Sequence, residues 1–352
     1  MNRAYIFVPW IVNGGADFYL IDLLQRLQPL FQLKIYSEGP VDKMLLAGIR
    51  YTLEEVNTGI FSSSACEGYR RSADIVIIHG SSFAYHHIAS ISLLGRIFDI
   101  LHNNSIYGHI SASVKNKSYI TYWIVANECV QKTLTDHDIN DNNIIQMNYV
   151  PCVEAWASPE EQDERRLDKL RNYTKLVFIG RLSFEKQPLL TIELIDNLLV
   201  LDPKVNYQIS IIGDGPLAND LQKEVLESIH KDRFVQHGFV NRIEIGMHML
   251  EAHVLINLSS CEGSPLTFAE SFCWGLPVFT LQAGGQSPLI DKSNSVVSAG
   301  VSEMASRIVE LKIHENTDQY LRLCTSARDT YKIFAKRSEN AFIQCLNRFL
   351  DS

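Results

Sequence analysis

Apolar runs of strand length alternate with runs of helical periodicity along almost the whole of this chain, and that alternation restricts it to few folds. The run "AYIFVPW" gives way to "ADFYLIDLLQRLQPL", whose leucines recur at the spacing of one helix face. "FQLKIYS", "ADIVIIHG", "RIFDILHNN" and "YITYWIVAN" read as further strands, the last ahead of a helical "ECVQKTLTDH". The pattern then starts again. "KLVFIGRLSFEKQP" reads as strand and loop, "LLTIELIDNLLVLDP" as helix, "YQISIIGDGP" as strand and glycine turn, and "LANDLQKEVLESIH" as helix. "FVQHGFV", "AHVLINLSS" and "GLPVFTLQ" follow as strands, and from Ser302 the chain reads helical almost throughout. Strands separated by helices imply parallel sheets covered on both faces. At 352 residues the chain is long for one core, so the expected fold class is α/β with two doubly wound, Rossmann-like domains. Their boundary is expected in "NNIIQMNYVPCVEAWASPEEQDERRLDKLRNYT", a strand, a proline turn and a charge-rich connection with little apolar periodicity, which divides residues 1–160 from 161–332.

Composition removes several classes of function. Hydrophobic residues at 46% and charged residues at 20% mark a globular chain, neither disordered nor fibrous. A net charge of −8 argues against nucleic acid as a partner. The seven cysteines are odd in number and scattered, with no C-x-x-C pair and no zinc spacing; a reducing compartment and no metal are expected. "MNRAYIFVPWIVNGG" is broken too soon by Pro9 and its glycines to serve as a signal peptide. The most apolar segment, "YITYWIVANECV", falls short of the ~20 residues a membrane span requires. A cytoplasmic protein is expected, with peripheral contact at the inner face of the cell membrane as its closest approach to lipid.

In doubly wound sheets ligands bind beyond the carboxyl ends of the strands. "VPWIVNGG", "IIHGSS", "ILHNN", "FIGRLSFEK", "IIGDGP" and "NLSSCEGSP" all fall there, and that coincidence carries more weight than any one of them. In "SSCEGSPLTFAESFCWGLPVF", Ser264 is a good helix N-cap and Pro265 a good first helical residue, so Leu266 and Thr267 would offer unpaired N–H groups to an anion. Glu262 lies in the turn before this helix and Glu270 about a turn and a half into it. Carboxylates accept paired hydrogen bonds from adjacent hydroxyls, as a sugar or ribose presents them. Alone, the two glutamates read equally as solvated residues near a helix start. In "GRLSFEK", Arg181 and Lys186 can converge on a diphosphate, the first as a planar fork and the second as a point charge. Gly14 and Gly15 permit close backbone approach before a helix start, and Asp17 falls in that helix's first turn. His79 and His102 each end an apolar strand and His109 follows in a loop; they suit a hydrogen bond to a sugar or proton transfer as well as a structural role. "GDGP" reads as a turn first, and "AGGQSP" as a glycine turn entering a helix.

Together these pieces resemble the retaining GT-B glycosyltransferases of family 4, the group 1 transferases. The resemblance is strongest from "FIGRLSFEKQP" through "IIGDGP" and "VQHGFV" to "EGSPLTFAESFCWGLPVFTLQAGGQSPLI", and "NGGADFYLIDLL" resembles the family's N-terminal motif, with Asp17 where Glu is usual. The resemblance implies two domains facing each other across a cleft: an acceptor-binding one over 1–160, onto which the C-terminal helix near 333–352 packs back, and a nucleotide-sugar donor domain over 161–332. It implies that Arg181 and Lys186 bind the donor diphosphate, Glu270 the ribose hydroxyls, and Glu262 the donor sugar. The backbone of Gly263, Ser264, Pro265 and Leu266 would lie near sugar and phosphate, Gly15 would approach the phosphate, and Phe239 and Val240 would cradle the base. His102 would face the reacting sugar. Pro288 stands where the family often has an acidic residue.

The activity so implied is metal-independent transfer of a hexose, with retention, from a nucleoside-diphosphate sugar, most often UDP-linked. Acceptors would be saccharides or lipid-linked saccharides of cell-surface polysaccharide or lipopolysaccharide synthesis, and no cofactor is needed. No carboxylate nucleophile stands in the matching positions, which agrees with a front-side route assisted by the departing diphosphate. A GT-B-fold epimerase and a non-catalytic sugar-nucleotide-binding partner protein remain alternatives.

Overall fold

Strands buried on both faces are joined mostly through helical crossovers, and every strand pairing among the described residues is parallel. The computed structural model describes residues 2–12, 15–56, 74–102, 109–147, 155–170, 173–262, 265–283 and 287–350. Contacts divide the chain into a first unit, residues 1–149 with 336–352, and a second, residues 150–335.

Among the described residues the first unit holds seven strands, β1 (Asn2–Val8), β2 (Phe31–Ser37), β3 (Tyr51–Glu55), β4 (Ile75–His79), β5 (Arg96–Leu101), β6 (Tyr122–Val125) and β7 (Ile144–Gln146), in the order β3-β2-β1-β4-β5-β6-β7. Its helices are α1 (Gly15–Leu27), α2 (Ser82–His86), α3 (Ile88–Ile91), α4 (His109–Lys115) and α5 (Glu128–Thr135). Alternate residues of the strands feed two cores. Ile6, Ile77, Phe98 and Ile100 share a core with α1 and the C-terminal helix, whereas Phe7, Val76, Ile78 and Ile97 share one with α2 to α5. The sequence pattern does not announce β3, whose side chains are mostly exposed. What makes it a strand is its register on β2, from Leu33 opposite Tyr51 to Ser37 opposite Glu55.

The second unit holds α6 (Pro159–Leu170), β8 (Thr174–Ile179), α7 (Leu190–Leu201), β9 (Tyr207–Ile212), α8 (Ala218–Glu227), β10 (Phe234–Gly238), α9 (Arg242–Glu251), β11 (Val254–Asn257), α10 (Leu266–Cys273), β12 (Val278–Leu281), β13 (Ser295–Ser298) and α11 (Val301–Glu310), with sheet order β10-β9-β8-β11-β12-β13. A helix, α6, stands where the sequence suggests only a charged connection, and the units divide before it, not at 160. Its buried residues are Gln162, Arg166 and Leu170, too few of them apolar for apolar periodicity to reveal it. Arg166 is fully buried and donates through Nε to the carbonyl of Ala252 at 2.9 Å and through Nη2 to those of Met249 and Trp274. Arg328 grips Asp163 with two 2.9 Å bonds. The helix expected after "AGGQSP" is absent: Ser287 opens a turn closed by Ile290 N–H on its carbonyl.

The last helix, α12 (Thr317–Leu350), divides its residues between the units. Tyr320 and Cys324 enter the core of the second, and Phe342, Cys345 and Phe349 that of the first. Its terminal carbonyls, which no helical N–H can reach, accept from Arg96: Nη1 to Arg348 at 3.1 Å and Nη2 to Phe349 at 2.7 Å. Arg26 also reaches Glu339 at 2.6 Å.

Beyond the β8 and β9 ends the backbone ladder continues into the loops, with Leu182 N–H on Asp214 O and Leu217 N–H on Leu182 O, both at 2.9 Å. "GDGP" is therefore a brace. Gly213 (φ 135°) and Gly215 (φ 158°) press on the backbone of Gly180 and Leu182, where a Cβ would clash in both cases. Gly213→Ala is expected to cost on the order of 3 kcal/mol or more, read as a fall in the melting temperature of the second unit. A near-native melting temperature would show that the loops can part.

Candidate functional site

The order of each sheet reverses between two neighbours, β1 and β4 in the first unit and β8 and β11 in the second. Crossovers leave these neighbours in opposite directions, so their C-terminal loops part and a crevice opens. In the second unit the loops concerned are 180–187 and 258–262. The first ends in a 3₁₀ turn, Phe184–Lys186, followed by Gln187 in the left-handed region (φ 50°, ψ 49°). Ser260 N–H donates to Glu185 O at 2.8 Å and fastens the second loop to the first.

That fastening brings Lys186 Nζ to 2.7 Å from Glu262 Oε1. The same oxygen accepts from Asn257 Nδ2 at 2.9 Å and Ser259 Oγ at 2.6 Å. The Glu262 side chain is only 6% exposed and that of Lys186 27%, so the acid is enclosed while the cation keeps access to solvent. Asn257 Oδ1 in turn accepts from Thr280 Oγ1 at 3.0 Å, its register partner on β12. Arg181 is exposed on the same loop. A hydrogen bond from Ser183, then the charges of Lys186 and Arg181, hold the Glu185 carboxyl below its usual range. Read from sequence, Lys186 and Glu262 serve separate parts of a ligand; in the structure they form one ion pair.

Helix α10 begins at Leu266, with Pro265 in extended conformation (φ −62°, ψ 120°) as the residue before it, so Pro265 is the N-cap position and not the first helical residue. Leu266 and Thr267 supply the first N–H groups, and Glu270 lies half-buried in the second turn. Gly263 and Ser264 lie outside the described residues. Beyond β10, Phe239 is 64% exposed and Val240 packs on the core.

In the first unit Gly15 starts α1, and Gly14 lies outside the described residues. Asp17 is buried, and its Oδ2 accepts the Val12 N–H at 3.2 Å, so it ties the loop after β1 to the helix. His79, at the end of β4, and His102, just past β5, meet Nε2 to Nε2 at 2.7 Å. One ring donates and the other accepts. The ring of Tyr19 stands edge-on to His102 at 4.9 Å, and His109 lies over Gly80. Glu38 Oε1 accepts from Ser81 Oγ at 2.7 Å and from Phe83 N–H at 3.2 Å. Burial, then the neighbouring His109, pushes His79 down to about 4. Burial and the two other imidazoles push His102 well below its ordinary value, and burial lowers His109 against the opposing pull of Glu38. At neutral pH this edge therefore offers hydrogen bonds without cationic charge. Deeper in the sheet, Asp99 accepts from Tyr85 Oη at 2.8 and 2.9 Å, and burial raises it to about 7.

Sequence reasoning misses Asn257, Ser259 and Thr280, and the pairing of His79 with His102. Asn257 carries one signal, a polar residue ending an apolar strand, but its partner lies on another strand. Among the described residues no group of three His, Cys, Asp or Glu side chains is disposed to hold a metal ion. No described helix is long and apolar enough to cross a membrane.

Residues 159–328 match the family model described as glycosyl transferases group 1. Two curated relatives are the UDP-Gal:alpha-D-GlcNAc-diphosphoundecaprenol alpha-1,3-galactosyltransferase of Escherichia coli and the alpha-monoglucosyldiacylglycerol synthase of Streptococcus pneumoniae. The first is 27% identical over 232 residues, 58% of this chain and 58% of that protein. The second is 25% identical over 201 residues, 54% of this chain and 44% of that protein. This chain thus spans about half the length of the curated relatives it matches. The crystal structure of Anabaena HepE in complex with UDP superposes with a TM-score of 0.79 at 16% identity, over 99% of this chain and 100% of that one. The fold class expected from the sequence, the α/β GT-B class built of two doubly wound parallel sheets, is the one shared with such structures.

The buried titrating groups set a pH signature. The folded value of His79, about 4, lies below its ordinary 6.5, so its contribution is complete above 6.5 and is lost as pH falls through 4, about 3 kcal/mol in all. Asp99 has the opposite sign: its folded value, about 7, lies above 3.8, so its contribution is complete below 3.8 and is lost as pH rises through 7. In melting curves from pH 4 to 8, His79→Phe should lift the acid limb relative to wild type and Asp99→Asn the alkaline limb. Parallel curves for all three proteins would contradict both assignments.

Proposed function

We propose, for a chain whose residues 159–328 match the glycosyl transferases of group 1, transfer of a hexose from a UDP-sugar to a hydroxyl of a saccharide or lipid-linked saccharide, with retention and without a metal. The observation that carries this reading is the 2.7 Å Lys186–Glu262 pair at the strand-order reversal of the second sheet, on the same loop as the exposed Arg181. Breaking a sugar–diphosphate bond builds negative charge on the leaving oxygens, and fixed cations stabilise that charge without a bound ion. An ammonium has three donors. Lys186 spends one on Glu262 and keeps others for a phosphate, while Arg181 closes on the diphosphate as a fork. Leu266 and Thr267 add N–H groups at the start of α10. Glu262 then reads the sugar and Glu270 the ribose, with Phe239 and Val240 beside the base.

UDP as the nucleotide is supported by relatives: one named for UDP-Gal and one fold neighbour solved with UDP. Lipid-linked acceptors are supported by the same galactosyltransferase, named for a diphosphoundecaprenol acceptor. Such a substrate would bring the protein to the inner face of the cell membrane, in cell-surface polysaccharide synthesis.

Incubation with labelled UDP-sugars and lipid-linked or soluble saccharides should release UDP and give a product whose anomeric configuration, read by NMR, matches the donor. Activity should persist in chelator. Binding of UDP-sugar without release across acceptors would replace this reading with that of a non-catalytic partner protein. Lys186→Ala should lower kcat/KM by about a hundredfold. Its melting temperature should fall by only a few degrees, because Asn257 and Ser259 still satisfy Glu262 and the cation is partly exposed. Equal loss of fold and turnover would remove the role given to Lys186.

A further inference from the structure

The Glu262 carboxylate is treated asymmetrically. Three donors, Lys186 Nζ, Asn257 Nδ2 and Ser259 Oγ, converge on Oε1, whereas Oε2 bonds to none of the described residues. Two of those donors are permanent features of β11 and the residues following it. The third belongs to the cation that the reading above sends to the diphosphate. When Lys186 turns toward a phosphate, the carboxylate is free to follow it unless something else holds Oε1.

We infer that Asn257 is the positioning residue that holds Glu262 for the donor sugar, and that Thr280 sets the orientation in which it does so. An amide side chain can present either its NH₂ or its carbonyl to a neighbour. A carboxylate accepts only, so the NH₂ must face Glu262, and the carbonyl is then turned to Thr280 Oγ1, whose one proton lies between it and the Leu281 carbonyl, both at 3.0 Å. Asn257 is nearly buried and Thr280 fully so, and they are register partners on adjacent parallel strands. Neither can swing away without leaving polar atoms unpaired in the sheet. Ser259 completes the arrangement, accepting from Asn257 Nδ2 at 3.2 Å while donating to Oε1. The result is a carboxylate with one oxygen fixed by the sheet and the other presented to sugar hydroxyls.

This inference rests on the glycosyltransferase reading and separates the two ends of the donor. The diphosphate end depends on Lys186 and Arg181, the sugar end on Asn257 acting through Glu262. Asn257→Leu should therefore leave the affinity for UDP within about twofold of wild type while kcat/KM for the UDP-sugar falls about ten- to a hundredfold, the worth of a hydrogen bond to a charged group. Asn257→Asp places a second carboxylate against the first. Two such groups cannot both stay ionised at close range, so turnover should be low at pH 8 and rise toward pH 6 as the pair shares a proton, against the wild-type profile. Thr280→Val should lower turnover in the same direction as Asn257→Leu, and Thr280→Ser, which keeps the hydroxyl, should regain most of that loss. Melting curves and UDP binding show in each case that the variant is folded.

If Glu262→Gln turns over like wild type, the parent reading of Glu262 fails whatever Asn257 does. If Glu262→Gln is crippled while Asn257→Leu and Thr280→Val turn over like wild type, the parent reading stands and this inference is overturned. Loss of UDP affinity in parallel with turnover in Asn257→Leu, or an Asn257→Asp profile with the wild-type pH dependence, would also overturn it, because a merely structural defect predicts both.

Discussion

The ion pair of Lys186 and Glu262 exists because two loops leave neighbouring strands in opposite directions. Sequence separation does not bring them together: they stand 76 positions apart, with three strands and three helices intervening. Strand order does. In a sheet ordered β10-β9-β8-β11-β12-β13, β8 and β11 are adjacent and their crossovers run to opposite sides. Lys186 and Glu262, on the loops that leave those two strands, meet in the gap so opened. The brace built from Gly213 and Gly215 against residues 180–182 keeps the first loop from collapsing into the gap, and the Ser260–Glu185 bond fixes the second to it. Held so, an acid that is 6% exposed is affordable, since a carboxylate enclosed without donors would be too costly to bury ionised.

The first unit repeats the topology with different chemistry at its reversal. Its loops carry imidazoles where the second unit carries fixed charges. Desolvation keeps His79 and His102 neutral, and their 2.7 Å bond makes one a donor and the other an acceptor. Such an edge suits hydroxyls, which give and take single hydrogen bonds, better than phosphates. Two units of like architecture thus differ in what stands at their reversals: charged side chains at the second, neutral imidazoles at the first. The difference follows from a handful of residues at strand ends, and not from the sheets.

Legibility tracked the kind of interaction that forms each part. The strands of both cores were readable because burial on two faces requires unbroken apolar runs, as in "IVIIH" and "VLIN". Arg181, Lys186 and Glu262 could be placed in loops after strands because those loops follow apolar runs, but what they touch could not be read. Helix α6 was not readable, since its buried residues include Gln162 and Arg166, which look solvated in sequence; Gln162 donates to the carbonyl of 157, and Arg166 to those of 249, 252 and 274. Edge strand β3 was hidden for a related reason: an exposed strand owes its existence to the neighbour it pairs with.

By itself, then, the sequence determined the alternation of strand and helix, the parallel character of both sheets, and which residue types stand at the strand ends, because all of these follow from local burial and backbone preference. Which of those residues meet was decided only in three dimensions. Lys186 with Glu262, Asn257 with Thr280, and His79 with His102 are each pairs across different strands or loops. Their distances depend on strand order and register, which no local stretch of chain encodes.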